Sequence, residues 1–368
     1  MTITFAEKLA RMPGYKAGVP TGQAPEAIAA GEIAQLASNE SPFPPHEVVV
    51  EAIRRAAPSM NRYPDPDATL LRRRIAERYE TEPGRVAVGN GSCEILLAAA
   101  EALGEPGAEI VYAWPSFSMY PYLPALTGAR EIRVPLAEGE VHDLDAMAAE
   151  ATAATQLLIV CNPNNPTATH LPAAEIGAFL EQVPPHVTVI LDEAYIEFQT
   201  HDDPDASLDL LPDFPNLVVL RTFSKCYGLA GLRTGYAIGA STFRAAVDAV
   251  RQPFSVNALA QAAGAEAILH QDDVTRRVTA TVAERLRVEE GVRALGLETT
   301  EAQANFSWID LGENDEPAVI AGLAERDIAV RPGAALGGPG HIRVSYGTEA
   351  ENARFLTALG DLCYNERQ

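Results

Sequence analysis

The sequence contains only four cysteines, Cys93, Cys161, Cys226 and Cys363, and no two stand in a C-x-x-C spacing. This scatter argues against both a zinc site and a disulfide framework, and it points to a reducing, cytoplasmic setting. Basic residues are also scarce: 28 Lys and Arg stand against 50 Asp and Glu, a formal charge of −22. Nonspecific binding to nucleic acid or to an anionic membrane needs basic surface, so neither is expected. An anionic small ligand would have to be met by arginines gathered at one place. No apolar run reaches the roughly 18 residues of a membrane helix. The opening Met1–Leu9 lacks the basic start and apolar centre of a signal peptide. Internal repeats, low-complexity tracts and long flexible linkers are missing as well.

What is present reads as an ordinary globular composition, 47% apolar and 21% charged. The 368 residues exceed the roughly 250–300 at which a single core stops growing, so two domains are expected. Residues 41–256 would form a large domain, and residues 1–40 with 257–368 a smaller one. Phe5, Leu9 and Met12 predict one face of a short helix ended by Pro13-Gly14. Ile33–Ala37 predicts a strand, Val48–Ala57 a helix, and Ala68–Tyr79 a helix capped by Asp67. From Val86 onward, apolar strands alternate with helices. The strands are 86–88, 109–113, 132–134, 157–161, 187–191, 217–220 and 235–239. The helices are 94–103, 116–126, one from Leu144 and one from Ala173. Near-continuous apolar strands alternating with helices predict an α/β fold with a mostly parallel sheet covered on both faces. Ligands of such sheets sit outside the carboxyl ends of the strands, where the polar clusters of this sequence fall. After Asn257 the pattern changes to helices near 257–269 and 273–295. Short strands (305–309, 328–330, 341–345) then alternate with helices near 316–326 and 349–363, as a second α/β unit.

The most informative stretch is Arg221 to Tyr236, which follows the strand Leu217–Leu220. It holds two hydroxyls (Thr222, Ser224), a lysine (Lys225), nearby glycines and Arg233. An ammonium is costly to bury, and a lysine at a buried strand end suits imine chemistry, because desolvation favours the nucleophilic free amine. Thr222, Ser224 and Arg233 offer hydrogen bonds and charge to a phosphate. Pyridoxal phosphate needs both features. Asp192 and Tyr195, three apart beyond another strand, fit a pyridinium partner and a phenolic-oxygen partner, although a strand-end Asp also caps helices. Asn165 between prolines fits a second bond to that oxygen or an ordinary turn. Gly89-Asn90-Gly91-Ser92 before a helix presents N–H groups and a positive dipole end.

Taken in order, the motifs resemble the fold-type I pyridoxal-phosphate aminotransferases, and most closely the histidinol-phosphate aminotransferase branch. They are Ser38-Asn39-Glu40-Ser41-Pro42, Asn61-Arg62-Tyr63-Pro64-Asp65, Gly91-Ser92-Cys93-Glu94, Asn162 to Thr167, Asp192-Glu193-Ala194-Tyr195, Arg221 to Tyr236, Pro253 to Asn257, Gln303 to Phe306, Val330-Arg331-Pro332 and Ile342-Arg343-Val344. The resemblance spans nearly the whole chain. It implies a large domain with a mostly parallel mixed sheet between helices, plus a smaller α/β domain. It implies Lys225 as covalent anchor and proton shuttle, Asp192 at the pyridinium nitrogen, and Asn165 and Tyr195 at the phenolic oxygen. Ser92, the Cys93 backbone, Thr222, Ser224 and Arg233 would hold the phosphate, and Phe117 would stack on the ring. Tyr63 would reach the phosphate of a neighbouring subunit, making a homodimer the catalytic unit. Arg343 would grip the substrate carboxylate, while Tyr15, Asn39 and Arg331 would bind the rest of the substrate.

Two positions depart from the family pattern, which has Asp in place of Cys93 and Gly in place of Ala168. Altered packing and a slightly different turn are expected there. The implied reaction moves an amino group between histidinol phosphate and 2-oxoglutarate, a step of histidine biosynthesis. An aromatic amino acid aminotransferase is the alternative, in which Phe43, Phe117, Tyr120 and Tyr122 would line an aromatic pocket. A threonine-phosphate decarboxylase and a non-catalytic pyridoxal-phosphate-binding regulator are the readings from other classes. The regulator is disfavoured, because an acidic chain of this length leaves no room for a basic DNA-binding domain.

Overall fold

The computed structural model describes residues 5–14 and 31–364. Among the described residues thirteen strands fall in chain order: β1 (Ala34–Gln35), β2 (Val86–Gly89), β3 (Glu109–Trp114), β4 (Arg130–Pro135), β5 (Thr155–Cys161), β6 (Thr188–Asp192), β7 (Leu217–Thr222), β8 (Gly235–Ile238), β9 (Glu298–Thr299), β10 (Phe306–Asp310), β11 (Ile328–Ala329), β12 (Arg331–Pro332) and β13 (His341–Ser345). Seven form one sheet in the order β2-β8-β7-β6-β5-β3-β4. All are parallel except β8, which runs antiparallel between β2 and β7. Alternate residues of a strand face opposite sides, and both sides here are cores. On β5, Leu158 and Val160 enter one core while Leu157, Ile159 and Cys161 enter the other. Both faces are therefore covered, which is why these strands read as unbroken apolar runs. Each fully buried aliphatic side chain contributes about 1.5–3 kcal/mol.

A third core, apart from the large sheet, joins Val288, Leu311, Leu323, Val344 and Phe355. Ala34 and Leu36 join it too, because β1 pairs in parallel with β11. Beside it runs a four-stranded sheet in the order β12-β13-β10-β9. The helix Ala258–Ala267 packs into the large core through Ala260 and Ala263.

Several local expectations are corrected. The helix expected over 116–126 is only Tyr122–Thr127. Pro121 lacks an N–H and disfavours helical geometry in the residue before it, so the helix begins after it, with Pro124 tolerated in the first turn. The helix expected over Ala68–Tyr79 spans Thr69–Arg78 with Ala68 as its N-cap residue, and Asp65 rather than Asp67 satisfies its first N–H. Asp65 accepts from Thr69 N at 2.8 Å and from Asp67 N at 3.0 Å. The strand expected over Ile33–Ala37 shrinks to Ala34–Gln35, the length that β11 can pair. The opening helix is a 3-10 turn, Glu7–Arg11, with Phe5 69% and Leu9 54% exposed. In the helix at 69–78 Leu71 is buried, whereas Leu70 is 48% exposed. Among the described residues no helix is long and apolar enough to cross a membrane.

Candidate active site

The carboxyl ends of β5, β6 and β7 and the amino end of the helix Ser92–Leu103 surround a cavity of about 320 Å³. Ser92, Cys93, Phe117, Asn165, Asp192, Tyr195, Thr222, Ser224, Lys225 and Arg233 line it, with Ser38, Glu40 and Cys161. The sequence separates these residues by up to 195 positions; the parallel strands bring their ends to one edge.

One end of the cavity is an anion cradle. Gly91, at φ +78, precedes the helix, whose first-turn N–H groups have no intrahelical acceptor. A Cβ on Gly91 would lie 2.5 Å from an Arg233 Nη, and one on Gly235 would lie 2.5 Å from Ser92 N. Gly235 is therefore required by its close approach to backbone, and Gly91 by its positive φ, since the end of the Arg233 side chain could give way. Thr222 Oγ1 donates to Ser224 Oγ at 3.0 Å and accepts from Ser224 N at 3.1 Å, and Arg233 Nη1 donates to Ser224 Oγ at 3.5 Å. Arg233 itself is left-handed at φ +57, a strained conformation for a residue with a Cβ.

At the other end, Asp192 is 2% exposed. Its Oδ2 accepts from the Tyr120 hydroxyl at 2.9 Å, and its Oδ1 is buried without a partner. Burial pushes its carboxyl up to about 6, against the Tyr120 hydrogen bond that lowers it. Lys225 Nζ donates to Ser38 O at 3.2 Å and lies 5.4 Å from the centre of the Tyr195 ring. Burial, and then the neighbouring charge of Arg343, lower its pKa to about 8, so far more of it is free amine near neutrality than of an ordinary exposed lysine. The Tyr195 hydroxyl receives Asn39 Nδ2 at 3.1 Å and Asn165 Nδ2 at 3.4 Å. Arg343 Nη1 donates to Asn165 Oδ1 at 2.5 Å and Nη2 to Ala37 O at 2.8 Å. The loop that presents Asn165 is itself tied down: Asn164 Nδ2 donates to Thr167 Oγ1 at 2.9 Å, and Ser116 Oγ donates to Asn164 Oδ1 at 2.7 Å.

The remaining expected site residues fall differently. Arg331 is buried on β12, paired in register with Arg343 on β13, and does not line the cavity. Tyr63 is 82% exposed and stacks on Phe254 at 4.6 Å, away from the cavity of its own chain. Tyr15 lies outside the described residues. Tyr120, expected in an aromatic pocket, is fully buried beneath Asp192 instead. Its contact was hidden in the sequence, because a separation of 72 positions carries no spacing signal. Ala168 adopts φ +61, a conformation that a glycine takes without strain. The Cys93 thiol is pushed up, chiefly by burial and then by Asp192, and stays protonated.

The chain matches the family model described as aminotransferase class I and II over residues 32–359. It belongs to the class I and II aminotransferases. A protein of Thermobifida fusca named aromatic amino acid aminotransferase is 47% identical over 330 residues, 89% of each chain. A protein of Mannheimia succiniciproducens named histidinol-phosphate aminotransferase 1 is 39% identical over 346 residues, 94% of each. Among solved structures, a histidinol-phosphate aminotransferase of Sinorhizobium meliloti in complex with pyridoxal-5'-phosphate superposes with a TM-score of 0.86. That match has 28% identity and covers 100% of this chain and 99% of the other.

This aminotransferase is a pyridoxal 5'-phosphate enzyme of fold type I, and its residues fit that group. The unpartnered Oδ1 of Asp192 supplies a buried acceptor for a ring N–H, and the glycine-walled cradle supplies donors for a phosphate. When bound, the cofactor supplies a carbonyl that takes up an amine and a ring that withdraws electrons from the substrate Cα. Lys225, which lines the cavity, would anchor it and move a proton at Cα. Asp192 would hold a positive charge at the ring nitrogen, and Asn165 and Tyr195 line the same cavity as Lys225.

Proposed function

We propose that this aminotransferase exchanges the amino group of an aromatic amino acid, phenylalanine or tyrosine, with 2-oxoglutarate. The transfer reaction is supported by one observation above the others: the Lys225 amine and the unpartnered Oδ1 of Asp192 line the same cavity. The aromatic substrate is supported by the 47% identity to a relative named for it, against 39% for the relative named for histidinol phosphate. In this reading Lys225, Asp192 and Tyr195 are catalytic. Ser92, Cys93, Phe117, Asn165, Thr222, Ser224 and Arg233 hold the cofactor. Arg343, fixed by Asn165 and the Ala37 carbonyl, receives the α-carboxylate in a bidentate fork. Asn39 completes the substrate side through its bond to Tyr195.

Histidinol phosphate, the expectation drawn from the sequence motifs, is the second reading. It is favoured by Arg331, a buried guanidinium in register with Arg343 on the neighbouring strand. Two such groups suit a dianion better than one carboxylate does. The ratio of kcat/KM for phenylalanine and histidinol phosphate, both with 2-oxoglutarate on one preparation, measures differential transition-state binding. An advantage for phenylalanine of about tenfold, or about 1.4 kcal/mol, supports the aromatic reading, and the reverse replaces it.

The working unit we infer is a cytoplasmic homodimer, with domains at 41–256 and at 1–40 with 257–368. The exposed Tyr63–Phe254 stack supports the dimer, since an aromatic pair left in solvent by one chain is a natural contact for another.

A further inference from the structure

The Tyr195 hydroxyl sits between two carboxamides, with Asn39 Nδ2 at 3.1 Å and Asn165 Nδ2 at 3.4 Å. A carboxamide can meet a hydroxyl with its NH2 group or with its oxygen, and the two have opposite effects. The NH2 group donates, and leaves the hydroxyl's own proton free for another acceptor; the oxygen takes that proton. Burial pushes the Tyr195 hydroxyl well above its usual range, against the lowering effects of Arg343 and then Asn39, so it keeps its proton. Whatever fixes the two carboxamides therefore decides whether Tyr195 can donate into the cavity. For Asn165 the fixing group is Arg343, whose Nη1 donates to Oδ1 at 2.5 Å. Ser345 stands two residues further along β13, on the same face of the strand.

Ser345 does for Asn39 what Arg343 does for Asn165. Its Oγ accepts from Asn39 N at 2.7 Å and donates to Asn39 Oδ1 at 3.0 Å. A hydroxyl has one proton to give; here it goes to Oδ1, and the NH2 group of the same carboxamide is turned to Tyr195. Ser345 is itself fixed, since its backbone N–H donates to Leu36 O at 2.8 Å. Asn39 is left-handed at φ +54, a conformation that asparagine tolerates better than most residues. Asn305 Nδ2 holds it there by donating to Asn39 O at 3.1 Å. Asn39, Ser345 and Asn305 are all buried, so solvent does not stand in for a lost partner. Ser345 does not line the cavity and can act on it only through Asn39.

We propose that Ser345 is a positioning residue of the transamination site: by holding the Asn39 oxygen it turns the Asn39 NH2 group to Tyr195, and so keeps the Tyr195 proton available to the phenolic oxygen of the cofactor. This role of Ser345 rests on the one proposed above for Tyr195. Without the serine hydroxyl, Asn39 N and Oδ1 both lose a buried partner, and the carboxamide is free to reverse and draw the Tyr195 proton to itself.

The test is a pH titration of the visible absorbance of the cofactor-loaded enzyme. A hydrogen bond donated to the phenolic oxygen draws negative charge away from the neighbouring linkage to Lys225 and lowers its affinity for a proton. Ser345→Ala should therefore raise the titration midpoint by about half a pH unit or more, in the same direction as Tyr195→Phe. In a Tyr195→Phe background Ser345→Ala should add no further shift, because both changes remove the same bond. Asn39→Gly removes the carboxamide while keeping the left-handed backbone free of strain, and should raise the midpoint as well. A parental midpoint in either Ser345→Ala or Asn39→Gly, with a raised one in Tyr195→Phe, overturns the role of Ser345 and leaves that of Tyr195 standing. A full additional shift in the double variant also overturns it, since the serine would then act without the tyrosine. An unmoved midpoint in Tyr195→Phe overturns the role of Tyr195, and that of Ser345 with it.

Discussion

The Tyr120 hydroxyl donates to Oδ2 of Asp192 at 2.9 Å inside the core, which leaves Oδ1 as the carboxylate's only uncommitted oxygen. The tyrosine therefore orients the acid and opposes the burial that raises its pKa to about 6. Tyr120→Phe removes a hydrogen bond to a charged group, worth about 1.5–3 kcal/mol, or roughly one to two pKa units. Only the carboxylate form of Asp192 can hold a cationic ring nitrogen. The acid limb of the kcat/KM profile should therefore move to higher pH, and kcat at neutral pH should drop by about tenfold or more. An unmoved acid limb would show that Tyr120 only fills space.

Cofactor loading should depend on the amine of Lys225, whose pKa is lowered to about 8 by burial first and Arg343 second. Loading needs the unprotonated amine, so in apoenzyme the rate of regain of visible cofactor absorbance should rise with pH and level off above about 8. Arg343→Gln removes the second cause and should move that midpoint upward. Lys225→Ala should abolish transamination while leaving the phosphate cradle able to bind cofactor noncovalently. Near-native turnover in that variant would refute the assignment of the lysine.

Arg233 combines strain with function, since it sits at φ +57 to place its guanidinium against Ser224. Arg233→Gly relieves a left-handed penalty of about 1–2 kcal/mol, partly offset by about 0.4–1 kcal/mol of added unfolded-state entropy. The apoenzyme should be as stable as the parent or slightly more so. Cofactor affinity should nevertheless fall about tenfold to a hundredfold, as expected for the loss of a charge-assisted bond to phosphate. Equilibrium unfolding of the apo form and a cofactor titration, run side by side, separate the two effects.

Tyr63 is exposed in its own chain, and we propose that it serves the partner's site. If so, Lys225→Ala chains and Tyr63→Ala chains, each inactive alone, should regain activity when mixed, because one of the two sites in a hybrid dimer has both groups intact. Verified hybrids without activity would place Tyr63 in the service of its own subunit.

Much of the sheet was legible from the order of residues, because strands buried on both faces are continuous apolar runs with polar residues at their carboxyl ends. Leu157–Cys161 and Leu217–Leu220 are of this kind, and each appears as a strand in the structure. Lys225, Thr222 and Ser224 were legible for the same reason: a polar cluster at a buried strand end is costly unless it has a purpose. Local turn chemistry was less legible, as the bond from Thr69 N to Asp65 and the delayed helix after Pro121 show, since competing polar residues or prolines lie within a few positions of one another. What only the tertiary structure decided was pairing across distance. The sequence contains Tyr120 and Asp192, and Asn39 and Ser345, but periodicity reports which face a residue takes and not which residue it meets. Strand order and register supplied those meetings: β3 beside β5 and β5 beside β6 place the loop bearing Tyr120 over Asp192, and the bond from the end of β13 to Leu36 sets Ser345 against Asn39.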